Sequence, residues 1–184
     1  RRHQDKGKVF FLKDCEPDIP FHLPALLKNC KKLLIKTSPM LDISIGLNEL
    51  QSVSELHIVA VNNEVKELLW LITPNFKGIP HIKTININKD HKDIFNFYLN
   101  DAFEVDYINP KKYLYEPNAA IMKSGAFDLI PARYQVHKLH KHSHLYTNDE
   151  LISFPGRQFI INKVTPYQKK YFKEFLTIEK ANIS

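Results

Sequence analysis

Glycine is scarce in this 184-residue chain. It occurs only five times, never in the G-x-G spacing at a strand-to-helix turn that brings a backbone up to a nucleotide. A nucleotide-binding loop of that kind is therefore excluded from these residues. Cysteine is scarcer still. Cys15 and Cys30 stand in no metal-ligand spacing and suit the small buried thiols of a reduced, intracellular protein. No apolar run reaches the roughly 18 residues that a membrane span needs, and the first residues do not resemble a signal peptide. These absences read as a cytoplasmic protein with no membrane partner. No internal repeat or low-complexity segment occurs, and no Ser or Cys has a His and an acid placed in a recognisable nucleophile motif.

What is present is ordinary in amount. Apolar residues make up 43% and charged residues 25%, which suits one large globular domain or two small ones. The densest apolar stretch is 55–72, ELHIVAVNNEVKELLWLI. It reads as two strands, 56–61 and 65–72, joined at Asn62-Asn63, residues that tolerate the positive φ of a tight two-residue turn. Its nearly unbroken apolar runs predict strands covered on both faces, with Trp70 in the core. Upstream, 21–29 reads as a helix and 33–37 as a buried strand, followed by a short helix, capped by Asp42 or Ser44, that runs to about Val53. Helix, strand, helix, strand and hairpin is the order of the closing half of a mainly parallel α/β sheet. Half a sheet leads to the expectation of a truncated chain whose cofactor loop lies upstream of Arg1.

The texture changes after Pro74. Residues 81–88 alternate as a strand, 90–99 fit a modest helix or a strand equally, and 104–108 are expected to form a strand. Asn109-Pro110 marks a second boundary. A helix is expected over 119–127, with Pro117 in its first turn and an end near Gly125. A loop opening at Ile130-Pro131, a His- and Lys-rich stretch, a turn at 154–157, a strand at 158–164 and an amphipathic helix at 166–181 complete the reading.

The net charge of +6 is unevenly placed. Lys/Arg against Asp/Glu count 10 to 9 in residues 1–73, 4 to 5 in 74–109 and 12 to 6 in 110–184. A local basic surface favours a polyanion, although such runs are often only a solvated face. The candidate RNA contacts are Lys111, Lys112, Lys123, Arg133, Lys138, His140, Lys141, Arg157 and Lys163. Tyr113, Tyr115 and Tyr134 can stack on bases or pack on a neighbouring helix. His140, His142 and His144 are spaced to share one strand face, with His137 nearby, and such imidazoles can hold a metal. Lys138 and Lys141 among them would repel a dication, so no metal is expected. Asp14, Glu16 and Asp18 can supply a general base or decorate a loop. Residues 36–39 stand at the carboxyl end of a strand, where α/β sheets bind ligands. Asp14, Lys36, Ser38, Pro39 and Asp42 are therefore cleft-lining candidates, and no catalytic residue is assigned.

Four stretches in this order carry a resemblance: 32–44 (KLLIKTSPMLDIS), 55–70 (ELHIVAVNNEVKELLW), 113–127 (YLYEPNAAIMKSGAF) and 144–161 (HLYTNDELISFPGRQFII). Together they resemble the bacterial class I S-adenosylmethionine-dependent methyltransferase-like proteins with a THUMP-like C-terminal domain. The resemblance covers nearly the whole chain. It implies an α/β and α+β fold: the C-terminal part of a Rossmann-like methyltransferase domain in 1–73, a small ferredoxin-like domain in 74–109, and a THUMP-like domain in 110–184 that is cut short. Residues 33–37 would be the fifth strand, 56–61 the sixth and 65–72 the antiparallel seventh. Arg1 and Arg2 resemble the end of the family's DPARR-like motif, which adds them to the cleft-lining candidates. The implied cofactor is S-adenosyl-L-methionine, bound upstream of this chain, which alone would be inactive. The implied substrate is RNA, tRNA or rRNA, by analogy with THUMP domains. A non-enzymatic RNA-binding or ribosome-associated module with a degenerate methyltransferase fold is the rival reading. Under either, residues 1–73 are expected to expose apolar sheet that self-associates or pairs with a missing N-terminal half.

Overall fold

The computed structural model describes residues 11–166. Its centre is the expected hairpin, formed by β2 (Val53–Val61) and β3 (Glu64–Ile72). Asn62 and Asn63 turn it with φ of 49° and 62°, the left-handed conformation that asparagine tolerates. Strands β1 (Leu33–Thr37), β4 (His81–Ile87) and β5 (Lys92–Tyr98) complete a five-stranded sheet in the order β1-β3-β2-β4-β5. β3 lies between β1 and β2 and runs antiparallel to both, while β2 and β4 are parallel. The returning arm of the hairpin inserts itself between two strands of like direction, so it runs antiparallel, as expected for 65–72. The sheet also shows no break at residue 74. β4 pairs with β2 from Glu55↔His81 to Val61↔Ile87, so residues 81–98 extend the first sheet. The ambiguous stretch 90–99 holds strand β5, with Phe95 and Phe97 buried.

Double burial of the hairpin is not observed. Leu56, Ile58, Ala60, Leu68, Trp70 and Ile72 are buried in strict alternation, whereas Val59, Leu69 and Leu71 on the other face are only half-buried. Leu34 of β1, also expected in the core, is 60% exposed. Helix α1 (Ile19–Lys28) is capped by Asp18 and follows a 3₁₀ turn at Leu12–Asp14. Helix α2 (Ile43–Glu49) begins at Asp42, whose carboxylate accepts from Ser44 and Ile45 N–H. Gly46 of α2 lies against the Trp70 ring: a Cβ there would stand 2.3 Å from its Cη2. The indole Nε1 donates to Thr37 Oγ1 at 2.9 Å, giving the buried ring the polar partner it requires.

A second, antiparallel sheet has the order β7-β8-β6-β9, formed by β6 (Tyr113–Pro117), β7 (His137–Lys138), β8 (Tyr146–Asn148) and β9 (Gly156–Ile160). β9 starts earlier than the expected strand, because Gly156 lets it approach β6 closely; a Cβ would meet Glu116 O at 2.0 Å. Helix α3 (Ala119–Ser124) ends at Gly125 with φ of 73°, a left-handed C-cap. Pro117, expected in its first turn, instead ends β6, and Asn118 caps the helix. The expected loop at Ile130 is a short helix, α4 (Ile130–Tyr134). The strand expected over 104–108 is a single bridge from Tyr107 to Lys138. Helix α3 contacts β2, β3 and β4, so the segment after residue 110 covers the first sheet's packed face. Arg1, Arg2 and, apart from Pro166, the helix expected at 166–181 lie outside the described residues. Among those described, no helix is long and apolar enough to cross a membrane.

Candidate functional site

The carboxyl end of β1 and the loop that follows it carry four of the cleft-lining candidates. Their polar atoms are engaged locally. Lys36 pairs with Glu67 at 3.1 Å, Ser38 Oγ accepts from Met40 N–H at 3.2 Å, and Asp42 caps α2. Hydrogen bonds from Ser44 and Ile45, aided by Lys123, hold the Asp42 carboxyl below its ordinary range. Lys123 Nζ reaches back from α3 to Leu41 O at 2.9 Å, and burial lowers its affinity for the proton. Pro39 is half-buried, Met40 is 81% exposed, and Asp14 ends the 3₁₀ turn before α1. The structure gathers Lys36, Ser38, Pro39 and Asp42 around one strand end and assigns most of their polar groups to holding the loop.

The basic candidates divide sharply. Lys138 is 3% exposed and its Nζ meets Asp128 Oδ1 at 2.7 Å. It cannot reach a phosphate, which corrects its place among the RNA contacts; a desolvated ammonium needs its counterion. Lys111 pairs with Asp149 at 2.8 Å, and Arg157 Nη2 with Glu116 at 2.6 Å. Arg133 lies over the Phe95 ring, 5.3 Å from its centroid, and donates to Asn96 O. Lys163 is exposed. Lys112 is exposed over Tyr113, and Lys141 and His140 are exposed on the turn after β7.

The four histidines do not share a strand face, because β7 stops at Lys138 and the chain turns. His140 and His142 lie with ring centroids 5.6 Å apart. His144 stacks on Phe127 at 3.6 Å, and burial, with the Lys138 cation nearby, lowers its proton affinity. Among the described residues no three His, Cys, Asp or Glu come together as a metal site. Of the tyrosines, Tyr115 is fully buried against Phe154 and Tyr134 stacks on Phe95, so both are packing residues. Tyr113 remains half-buried beside Lys112.

One polar cluster escaped the sequence reading. Glu55 Oε2 bonds both His57 Nε2 and Lys83 Nζ, each at 2.7 Å, on the half-exposed sheet face. Lys83, then His57, holds the Glu55 carboxyl down to about 2. The spacing Glu55-x-His57 places both on one strand face, which the sequence could have revealed; Lys83 joins through the parallel register alone.

A family model for a ferredoxin-like domain matches residues 113–155, inside the segment expected to be THUMP-like. No curated protein matches the chain. A crystal structure described as a "putative methyltransferase" from Porphyromonas gingivalis W83 matches 91% of this chain at 37% identity, with a TM-score of 0.84. The fold is thus methyltransferase-like, with a ferredoxin-like domain at 113–155. The chain spans 44% of that relative's chain. Of the described glycines, Gly46 is packed under Trp70, Gly125 caps α3 and Gly156 admits β9. None stands at a strand-to-helix turn.

Proposed function

We propose that these residues belong to an S-adenosylmethionine-dependent methyltransferase acting on RNA. The five-stranded sheet is then the closing part of its Rossmann-like domain, and the segment from residue 110 onward, with its ferredoxin-like and THUMP-like character, contacts the nucleic acid. The observation that carries this reading is the similarity, over 91% of the chain, to the Porphyromonas relative. Two features agree with it. Strand β1 pairs on one side only among the described residues, which leaves room for further sheet, and the exposed Leu34 marks a face open to cover. Lys112, His140 and Lys141 stay exposed on the second segment, where cations can follow a phosphate backbone.

Under this reading the cofactor binds to residues preceding Arg1, and this chain supplies substrate contacts and sheet stability. Equilibrium dialysis of the longest available form of the protein with radiolabelled S-adenosylmethionine, followed by transfer to total RNA, tests it. Saturable binding and labelled RNA are expected. Absence of cofactor binding overturns the methyltransferase reading, and RNA retention in that case selects a non-enzymatic RNA-binding module instead.

A further inference from the structure

A groove runs between the segment that follows β5 and helices α3 and α4. Phe103, 57% exposed, divides it into two clefts of about 390 and 300 Å³. Leu99 and Leu129 line one cleft, and Pro131 and Val136 the other. An exposed phenylalanine flanked by two clefts, each with apolar side chains in its wall, offers an anchor position for an inserted side chain.

The charge of this groove opposes that of the chain. Although the whole protein carries +6, residues 93–110 contain no Lys or Arg and four acids, Asp93, Asp101, Glu104 and Asp106. The last three line the clefts with Asp128. Asp101 accepts from Tyr98 N–H and Asp128 is neutralised by Lys138. Glu104 and Asp106 are exposed and have no ionic partner among the described residues. His137 is the other titratable group in the lining. Residues 102–105 belong to no strand or helix, and their N–H groups meet no backbone acceptor among the described residues. An extended peptide can use such unpaired backbone.

We propose that this groove docks an extended, basic protein segment, one apolar side chain of which packs beside Phe103 while flanking lysines or arginines meet Glu104 and Asp106. Polyanions are repelled from this face. It therefore binds a protein partner independently of any RNA bound elsewhere, and independently of whether the protein transfers methyl groups.

Fluorescence anisotropy with the full chain and a labelled peptide alternating arginine and leucine tests the proposal. Binding that weakens with salt is expected. Phe103→Ser should weaken it about tenfold, as loss of a central aromatic anchor does. The pair Glu104→Gln and Asp106→Asn should weaken it by roughly threefold or more, most at low salt. Circular dichroism melts of these variants should match the parent, since none of the three side chains is buried. An oligoribonucleotide should bind parent and variants alike. No binding of the arginine-leucine peptide at low salt, equal binding of a glutamate-leucine peptide, or affinities unchanged in both variants would each overturn it.

Discussion

Asn63, the second residue of the hairpin turn, accepts a hydrogen bond from Ala119 N–H at 2.7 Å through its Oδ1. A turn in the first sheet thus satisfies an orphan donor in the first turn of α3, 56 residues later. Asn118 caps the same helix from within, so α3 is held at its start by both parts of the chain. Asn63→Gly keeps the positive φ but removes this tie. It is expected to cost about 1 kcal/mol, as loss of a capping side chain does, read as a lower urea midpoint. Asn63→Asp, which retains an acceptor, should cost less. An unchanged midpoint in the glycine variant would show that the tie is unimportant.

Gly46 and Trp70 make a second such relationship, set by volume alone. Adding a methyl group at Gly46 forces the indole aside, and overpacking of this kind typically costs about 1–3 kcal/mol. Trp70→Phe opens space but leaves Thr37 Oγ1 without its donor. The double variant Gly46→Ala with Trp70→Phe is expected to be more stable than the sum of the two single losses predicts. Thermal melts of the four proteins check this; strict additivity would mean that α2 shifts away instead.

What could be read in the sequence was local. The Asn62-Asn63 turn, the caps Asp42 and Gly125 and the strand at 33–37 follow from preferences carried by a few adjacent residues. The neighbours of each strand did not, because β3 inserts between β1 and β2, and β4 returns to β2, through pairings between distant residues. The apolar runs around Val59 and Leu69 suggested burial on both faces, yet hydropathy records an affinity for cover and does not say what supplies it. Lys138 leaves the basic surface for a related reason. Its charge counts as basic surface in the sequence, whereas its burial beside Asp128 is decided by tertiary packing.

The Glu55 cluster makes a pH prediction. Its carboxyl titrates near 2 in the folded protein, against an ordinary 4.5. Above pH 4.5 it is ionised in both folded and unfolded chains, and its bonds to Lys83 and His57 contribute fully. As pH falls from 4.5 toward 2 the unfolded chain takes up the proton first, so this stabilisation is progressively lost. Glu55→Gln should be less stable than the parent at neutral pH and lose less of its stability across that window. Urea midpoints at pH 6, 4 and 3 provide the comparison; parallel acid slopes in the two proteins would contradict the assignment.

The RNA reading makes its own prediction, narrowed by the ion pairs. Lys138 is committed to Asp128 and Arg157 to Glu116, so phosphate contacts from the described part of the second segment fall to cations such as Lys112 and Lys141. Each contact releases counterions, and loss of one lowers the salt slope for single-stranded RNA by about 0.7 log units per log of salt. Lys112→Glu with Lys141→Glu should weaken all RNA sequences alike, since phosphate contacts position without specifying. Lys138→Met, which replaces a buried ammonium by a side chain of similar length, should leave RNA affinity unchanged. Filter binding of these variants at two salt concentrations reads both effects. If the Lys138 variant weakens binding as much as the exposed pair, the loss reports the integrity of the second sheet, and the exposed lysines form only a solvated face.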